Sequence, residues 1–371
     1  MASFGSGTLS IIRSATGTLI VIIGCRVTRW FAPGLRVGAR NQAGCGYEGA
    51  RTVKPAPLRY SRPGSTAEAL ALLASLGEDG KVLAGGQSLV PLLSMRLAAP
   101  EHLVDINRLA ELGYVRVEDG QVRVGALARH AQVLADPAAA AAQPLLAKAL
   151  RFVAHAAIRN RGTTVGSIVH ADPAGEMPAV LAVLDGAVRV AHQGGERLVP
   201  AGEFFLGPLE SAVEPAELAI EALFPVLPPA AGTGFAEVSR RRGDYAICGV
   251  AATVRLGDDG TITQARAGYL SVGPSPIVLD LTEAAAADGT DGFAAAADLA
   301  RQQLDPEPDI HATADYRRHL AGVLTRRALL EALGEAQVRG RAGKNGAGRA
   351  RPGGTAPEGP GGTASEGTAS D

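Results

Sequence analysis

The sequence predicts a chain of mixed helices and strands in two ordered parts, and three observations carry that reading. Ser65-Thr66-Ala67-Glu68 forms a capping box ahead of Leu70, Leu73 and Leu76, a helix start followed by an apolar helical stripe. Val115–Val117 and Val122–Val124 alternate around Asp119-Gly120, a hairpin signal. Pro225-Val226-Leu227-Pro228-Pro229 then breaks the pattern and marks a domain boundary. A length of 371 residues, with 46% apolar and 20% charged residues, suits two or three domains with ample core.

In chain order, Gly77 ends the first helix, and Lys81–Ala84 reads as a short strand running into Gly85-Gly86. Leu92–Leu97 suits a short helix and His102–Ile106 a buried strand. Pro144–Ala154 is helical, a Gly/Thr loop follows at 162–167, and a helix lies near Met177–Leu184. Two strands flank Gly194-Gly195. Beyond the Pro-rich stretch, Val250–Leu256 and Ile262–Val272 read as strands around Gly257–Gly260, with helices near Phe293–Leu304 and Ala312–Leu333. The ordered domains are therefore expected at 53–228 and 232–333. From Gly334 to Asp371 the chain has no periodicity and should be disordered, because it cannot bury enough surface to offset ordering entropy.

Residues 1–52 read differently. Their one apolar run, Leu19–Ile23, is too short to span a bilayer, and with Gly24-Cys25 it makes only a faint lipoprotein-signal pattern. The folded pattern begins abruptly at Val53, and a Val codon can serve as a start in a GC-rich gene. Residues 1–52 are thus expected to be a disordered or misassigned extension. A net charge of −1 gives no reason to expect a nucleic-acid partner, and no segment suits stable membrane insertion. Cys25, Cys45 and Cys248 are far apart and lack any C-x-x-C, which argues against a disulfide framework, a zinc site or an iron–sulfur cluster held by this chain. A reducing cytoplasm is expected.

Two segments carry chemistry. In Ala84-Gly85-Gly86-Gln87-Ser88-Leu89-Val90-Pro91 a strand gives way to a loop and then a helix. Paired glycines let backbone amides approach a ligand, Gln87 and Ser88 add side-chain donors, and such a nest suits a diphosphate; a plain chain-reversing turn is the alternative. The second is Arg159-Asn160-Arg161-Gly162-Thr163-Thr164-Val165-Gly166-Ser167, followed by His170-Ala171-Asp172-Pro173 and Glu176. It suits phosphate binding, and Asp172-Pro173 also reads as a helix start. His170 and Asp172 lack a third partner at ligand spacing, so no metal is expected. Gly44-Cys45-Gly46-Tyr47-Glu48-Gly49 matches a dinucleotide fingerprint with no strand before it and is read as chance. Gly343-Lys344 is no P-loop.

These segments, in this order, resemble the FAD-binding (medium) subunits of the molybdenum hydroxylase family, the xanthine dehydrogenase and aerobic carbon monoxide dehydrogenase type. Further marks are Lys54-Pro55-Ala56-Pro57, Leu103-Val104-Asp105-Ile106-Asn107 and Arg242-Gly243-Asp244-Tyr245-Ala246, and the resemblance runs from about Lys54 to Leu333. It implies the FAD-binding fold of the vanillyl-alcohol-oxidase type, two α+β subdomains, followed by a smaller C-terminal α+β domain. It assigns FAD to a first loop of Val82, Leu83, Ala84, Gly85, Gly86, Gln87, Ser88 and Leu89, and to a second of Thr163, Thr164, Val165, Gly166 and Ser167. Glu176 corresponds to an acidic nucleotide contact and Tyr245 to a residue near the isoalloxazine. The implied partners are a molybdopterin-binding large subunit, a [2Fe–2S] small subunit and an external electron acceptor. Redox chemistry then belongs to the cofactor, so no catalytic acid or base is assigned.

One position departs from the family pattern, Gly-Thr-Val-Gly-Gly-Ser: Val165 stands where the first glycine of the pair is usual. If that position has φ > 0, valine is strained, and if it faces the ligand its methyls crowd it. In either case restoring glycine should tighten FAD binding, whereas a valine of ordinary β geometry turned away from the ligand would make glycine loosen the loop. Two rival readings are a stand-alone flavin oxidase of the vanillyl-alcohol type and a docking subunit that has lost FAD.

Overall fold

The computed structural model describes residues 55–289 and 292–342 with their side chains, and the backbone alone of 343–348. The expectations for 1–52 and 349–371 lie outside those residues, apart from the backbone of three short antiparallel strands at Ser10–Arg13, Leu19–Ile23 and Arg26–Arg29.

Ser65 caps the helix Thr66–Leu76 by accepting from the Glu68 N–H at 3.1 Å, while Glu68 reaches back to the Gly64 N–H at 2.7 Å. Leu70 and Leu73 are buried, and Gly77, with φ 53°, ends the helix. This helix connects the parallel strands Arg59–Ser61 and Gly80–Leu83, which flank His102–Asp105 in a three-stranded sheet. A five-stranded antiparallel sheet follows, in the order Gly195–Pro200, Ala187–His192, Leu218–Pro225, Gln121–Gly125, Val115–Glu118. The turn Asp119-Gly120 has φ of 52° and 71°, the left-handed pair that a tight hairpin requires. Short helices pack against this sheet and against one another, and their Leu145, Leu146, Ile168 and Met177 are buried in one continuous core.

Several local expectations need correction, and the helix expected at Pro144–Ala154 ends at Leu150. The helix expected at Leu92–Leu97 runs over Leu89–Ser94, because Pro91 falls in its first turn, where no intrahelical N–H is needed. The loop expected at 162–167 contains a helix, Thr164–His170, capped by Thr163. No helix starts at Pro173: Asp172 accepts from the Ala174 N–H at 2.9 Å, and the next helix is Glu176–Val183.

The second part is a four-stranded antiparallel meander, Ala231–Ser239, Ala246–Leu256, Ile262–Leu270 and Ile277–Asp280. The helix Ala314–Gly348 covers one face, and Glu176–Val183 packs on the same sheet from the first part. Gly232 and Gly234 permit the first contact: a Cβ would lie 2.1 Å from the Ala332 carbonyl oxygen and 2.0 Å from that of Ala328. The helix also continues well past Gly334, where disorder was expected. Ala336 is fully buried, and Glu335 accepts from Lys148 Nζ at 2.8 Å and from Thr233 N at 3.1 Å. Tertiary partners thus hold a segment that lacks an apolar stripe. Among the described residues no helix is long and apolar enough to cross a membrane.

Candidate functional site

A cavity of about 800 Å³ is lined by the ends of the three-stranded sheet, the helices after it, and Gly243, Asp244 and Tyr245 of the second part. The strand Gly80–Leu83 delivers the chain to this cavity, and Ala84–Ser88 turn across it into the helix at Leu89. Gly86 sits at φ 73°, a conformation that side chains disfavour. Gly85 touches the second loop, since a Cβ there would lie 2.5 Å from the Arg161 carbonyl oxygen and 2.8 Å from Gly162 Cα. The backbone N–H groups of Gly85, Gly86, Gln87 and Ser88 make no hydrogen bond within the described residues. Free amides on residues that line a cavity fit a phosphate-bearing ligand. Gln87 differs from expectation, because its Nε2 donates to the Gly85 carbonyl at 3.0 Å and braces the turn.

Opposite, Thr163 Oγ1 accepts from the Gly166 N–H at 3.1 Å, and a Cβ on Gly166 would lie 2.5 Å from that oxygen. Of the sequence-assigned site residues, all but Leu83 and Thr164 line this one cavity. Leu83 accepts from the Ile106 N–H at 3.1 Å and stays behind the loop. Thr164 is fully buried, with its hydroxyl 3.2 Å from His130 Nδ1. His130 lines the cavity and was missed. Burial, with the Arg159 charge second, pushes it down to about 4, so its ring is neutral. No local pattern marks it, and the hairpin residues Leu209, Glu210 and Ser211 reach the same cavity only through the fold. Tyr245 stands at the rim, 71% exposed. Among the described residues no three His, Cys, Asp or Glu side chains group to hold a metal.

Val165 is not strained. It lies in the helix Thr164–His170, has no positive φ, and is 2% exposed within the main core while one side touches the cavity. The strain from which tighter FAD binding by a glycine variant was expected is therefore absent. Val165→Gly should instead cost about 2–3 kcal/mol of stability, from a lost buried side chain and a poorer helix former. FAD affinity should stay level or fall. Thermal melts and FAD titration of both proteins check this; tighter binding by the glycine variant would contradict it.

Two carboxyls with raised pKa lie where the two parts pack together. Burial, reinforced by the Asp172 charge against its own N–H, pushes Glu176 up to about 7. On the strand Ala231–Ser239, Gly232 and Gly234 face the long helix, and Ala236 and Val238 pack in that helix's core. Alternation puts Glu237 on the other face with Phe235, whose ring centroid is 5.1 Å from that of Phe152. Glu237 Oε2 is buried with no hydrogen-bond partner, and burial, then the Glu176 charge, push this carboxyl up to about 8. A raised folded pKa means the proton is held more tightly in the folded chain. The stabilisation is complete below the ordinary carboxylate value and is lost as pH rises through about 8. The melting temperature should therefore fall between pH 5 and pH 9. Glu237→Gln should stabilise by on the order of 1–2 kcal/mol at pH 8.5 and by little at pH 5. Parallel pH profiles for the two proteins would contradict the assignment.

Comparison with known proteins covers both parts of the chain. Residues 56–227 match the FAD binding domain in molybdopterin dehydrogenase, and residues 233–332 match the CO dehydrogenase flavoprotein C-terminal domain. The 6-hydroxypseudooxynicotine dehydrogenase complex subunit alpha of Paenarthrobacter nicotinovorans is 41% identical over 77% of this chain and 97% of its own length. The carbon monoxide dehydrogenase medium chain of Hydrogenophaga pseudoflava is 35% identical over 74% of this chain and 96% of its own. Among solved structures, quinoline 2-oxidoreductase from Pseudomonas putida 86 superposes with a TM-score of 0.71 at 35% identity, covering 77% of this chain and 99% of that one. Matched in both parts and across nearly the whole length of these relatives, the chain belongs to the FAD-binding medium subunits of the molybdenum hydroxylase family, and its cofactor is FAD.

Proposed function

We propose that this chain is the FAD-carrying electron-transfer subunit of a cytoplasmic molybdenum hydroxylase complex. It takes electrons from [2Fe–2S] clusters on a small partner subunit and passes them to an external acceptor. Substrate is oxidised on a molybdopterin-binding large subunit. The observation that carries this reading is the convergence of both glycine-containing loops, Glu176 and Tyr245 on one cavity. The residues that would hold FAD are Val82 and Ala84–Leu89 on one side and Thr163 and Val165–Ser167 on the other, with Glu176 and Tyr245. Leu83 and Thr164 support them from behind. Bound FAD supplies the exchange between single-electron and paired-electron transfer. The chain's own part is to seat it: free amides meet the phosphates, and a neutral His130 adds no charge to the cavity wall.

The test is a visible spectrum of the purified full chain, followed by turnover assays in oxygen with alcohols and phenols. A flavin band without steady oxidase turnover is expected. A band with turnover would favour a stand-alone oxidase of the vanillyl-alcohol type. No band after incubation with FAD would favour a docking subunit.

A further inference from the structure

The two loops are joined by a side-chain relay that does not line the cavity. Arg129 Nη1 donates to the Arg161 carbonyl oxygen at 2.6 Å, in the second loop. Its Nη2 donates to Asn107 Oδ1, also at 2.6 Å. Asn107 Nδ2 in turn donates to the Ala84 carbonyl oxygen at 2.8 Å, in the first loop, and to Asp105 Oδ1 at 2.6 Å. Asp105 is itself held by Tyr60 and by Arg62 at 3.5 Å. The backbone around Arg129 grips the second loop as well: His130 N donates to the Gly162 carbonyl at 2.9 Å and Thr164 N to that of Ala128 at 3.3 Å. Gly85 lies against Gly162 at the same place, so nothing larger fits between the loops.

We propose that Arg129 and Asn107 are positioning residues, a strut that fixes the spacing of the two phosphate-facing loops and so tunes this site for a diphosphate. A planar guanidinium suits this task because its fork reaches two acceptors in fixed directions, which an ammonium on a flexible stem does not. Both of its direct acceptors are neutral oxygens, and the carboxylate that attracts this cation, Asp105, stands one hydrogen bond further along the relay. The inference rests on the FAD reading above.

The experiment titrates FAD, ADP and riboflavin into the full-length chain and its Arg129→Gln, Arg129→Lys, Asn107→Ala and doubly substituted Arg129→Gln/Asn107→Ala variants. Each single variant should lose about ten- to a hundredfold in affinity for FAD and ADP, and little for riboflavin, which has no phosphate. The double variant should be no worse than the weaker single one, because both cut the same relay. Arg129→Lys should not recover FAD affinity. If Arg129→Gln fails to fold, Arg129→Lys and Asn107→Ala carry the comparison. Unchanged FAD affinity, equal losses for riboflavin, additive losses, or full recovery by lysine would overturn the strut. Failure of the native chain to bind FAD or ADP would instead overturn the reading on which it rests.

Discussion

Gly86→Val is expected to strip FAD from a protein that still folds. Gly86 has φ 73°, where a β-branched residue is strained, and its Cβ would come within 3.2 Å of Val90 Cγ2 and 3.3 Å of Leu83 Cδ1. The loop can relieve that strain only by turning, which re-aims the amides of Gly86, Gln87 and Ser88 away from the cavity. Strain of this kind is on the order of 1–3 kcal/mol, enough with the lost donors for roughly a hundredfold weaker binding. The core does not depend on this turn, so the melting temperature without FAD should move by only a few degrees. FAD content of the purified variant, with a melt of the flavin-free protein, is the measurement. Normal FAD content would contradict the assignment of this loop.

The largest expected effect on folding lies far from the cavity. Gly234→Val would drive a branched side chain into the backbone of the long C-terminal helix, with its Cβ 2.0 Å from the Ala328 carbonyl oxygen. No rotamer avoids a clash with backbone, so helix and strand must separate. A loss of more than about 4 kcal/mol is expected, with the melting temperature falling by roughly 10 °C. Gly334, on the same helix, has nothing within 4 Å of a built Cβ. Gly334→Ala should therefore stabilise by up to about 1 kcal/mol. Paired melts of the two variants measure the contrast, and similar small effects at both sites would contradict the helix–strand contact.

Much of this was legible in the sequence because the signals are local. The capping at Ser65, the stop at Gly77 and the Asp119-Gly120 hairpin each depend on residues within four positions of one another, and each stands where expected. The first loop at the cavity was legible for the same reason: a strand, two glycines and a helix lie in one short run. The second was recognised by composition, but its helix was hidden. Thr164–His170 spans under two turns, contains Gly166, and gains its stability from burying Val165 and Ile168. That burial is also why the inference of strain at Val165 failed: a missing glycine signals strain only if the backbone needs φ > 0.

Features that depend on the fold left no trace in the sequence. Glu237 is an ordinary strand residue until the first part packs against it. Arg129, Asn107 and Arg161 are separated by tens of residues and meet only because a strand edge and two loops converge. The end of the last helix was misjudged because Glu335 and Arg339 hold it through Lys148, Thr233 and the Leu227 carbonyl, partners that periodicity cannot reveal.

The most direct measurement is a crystal structure of the full chain grown with FAD. The expected result is one FAD per chain in the cavity, its diphosphate within about 2.7–3.2 Å of backbone nitrogens in Gly86–Ser88 and the second loop beside it. FAD bound elsewhere on the chain, or a cavity that stays empty at saturating FAD, would contradict the central claim.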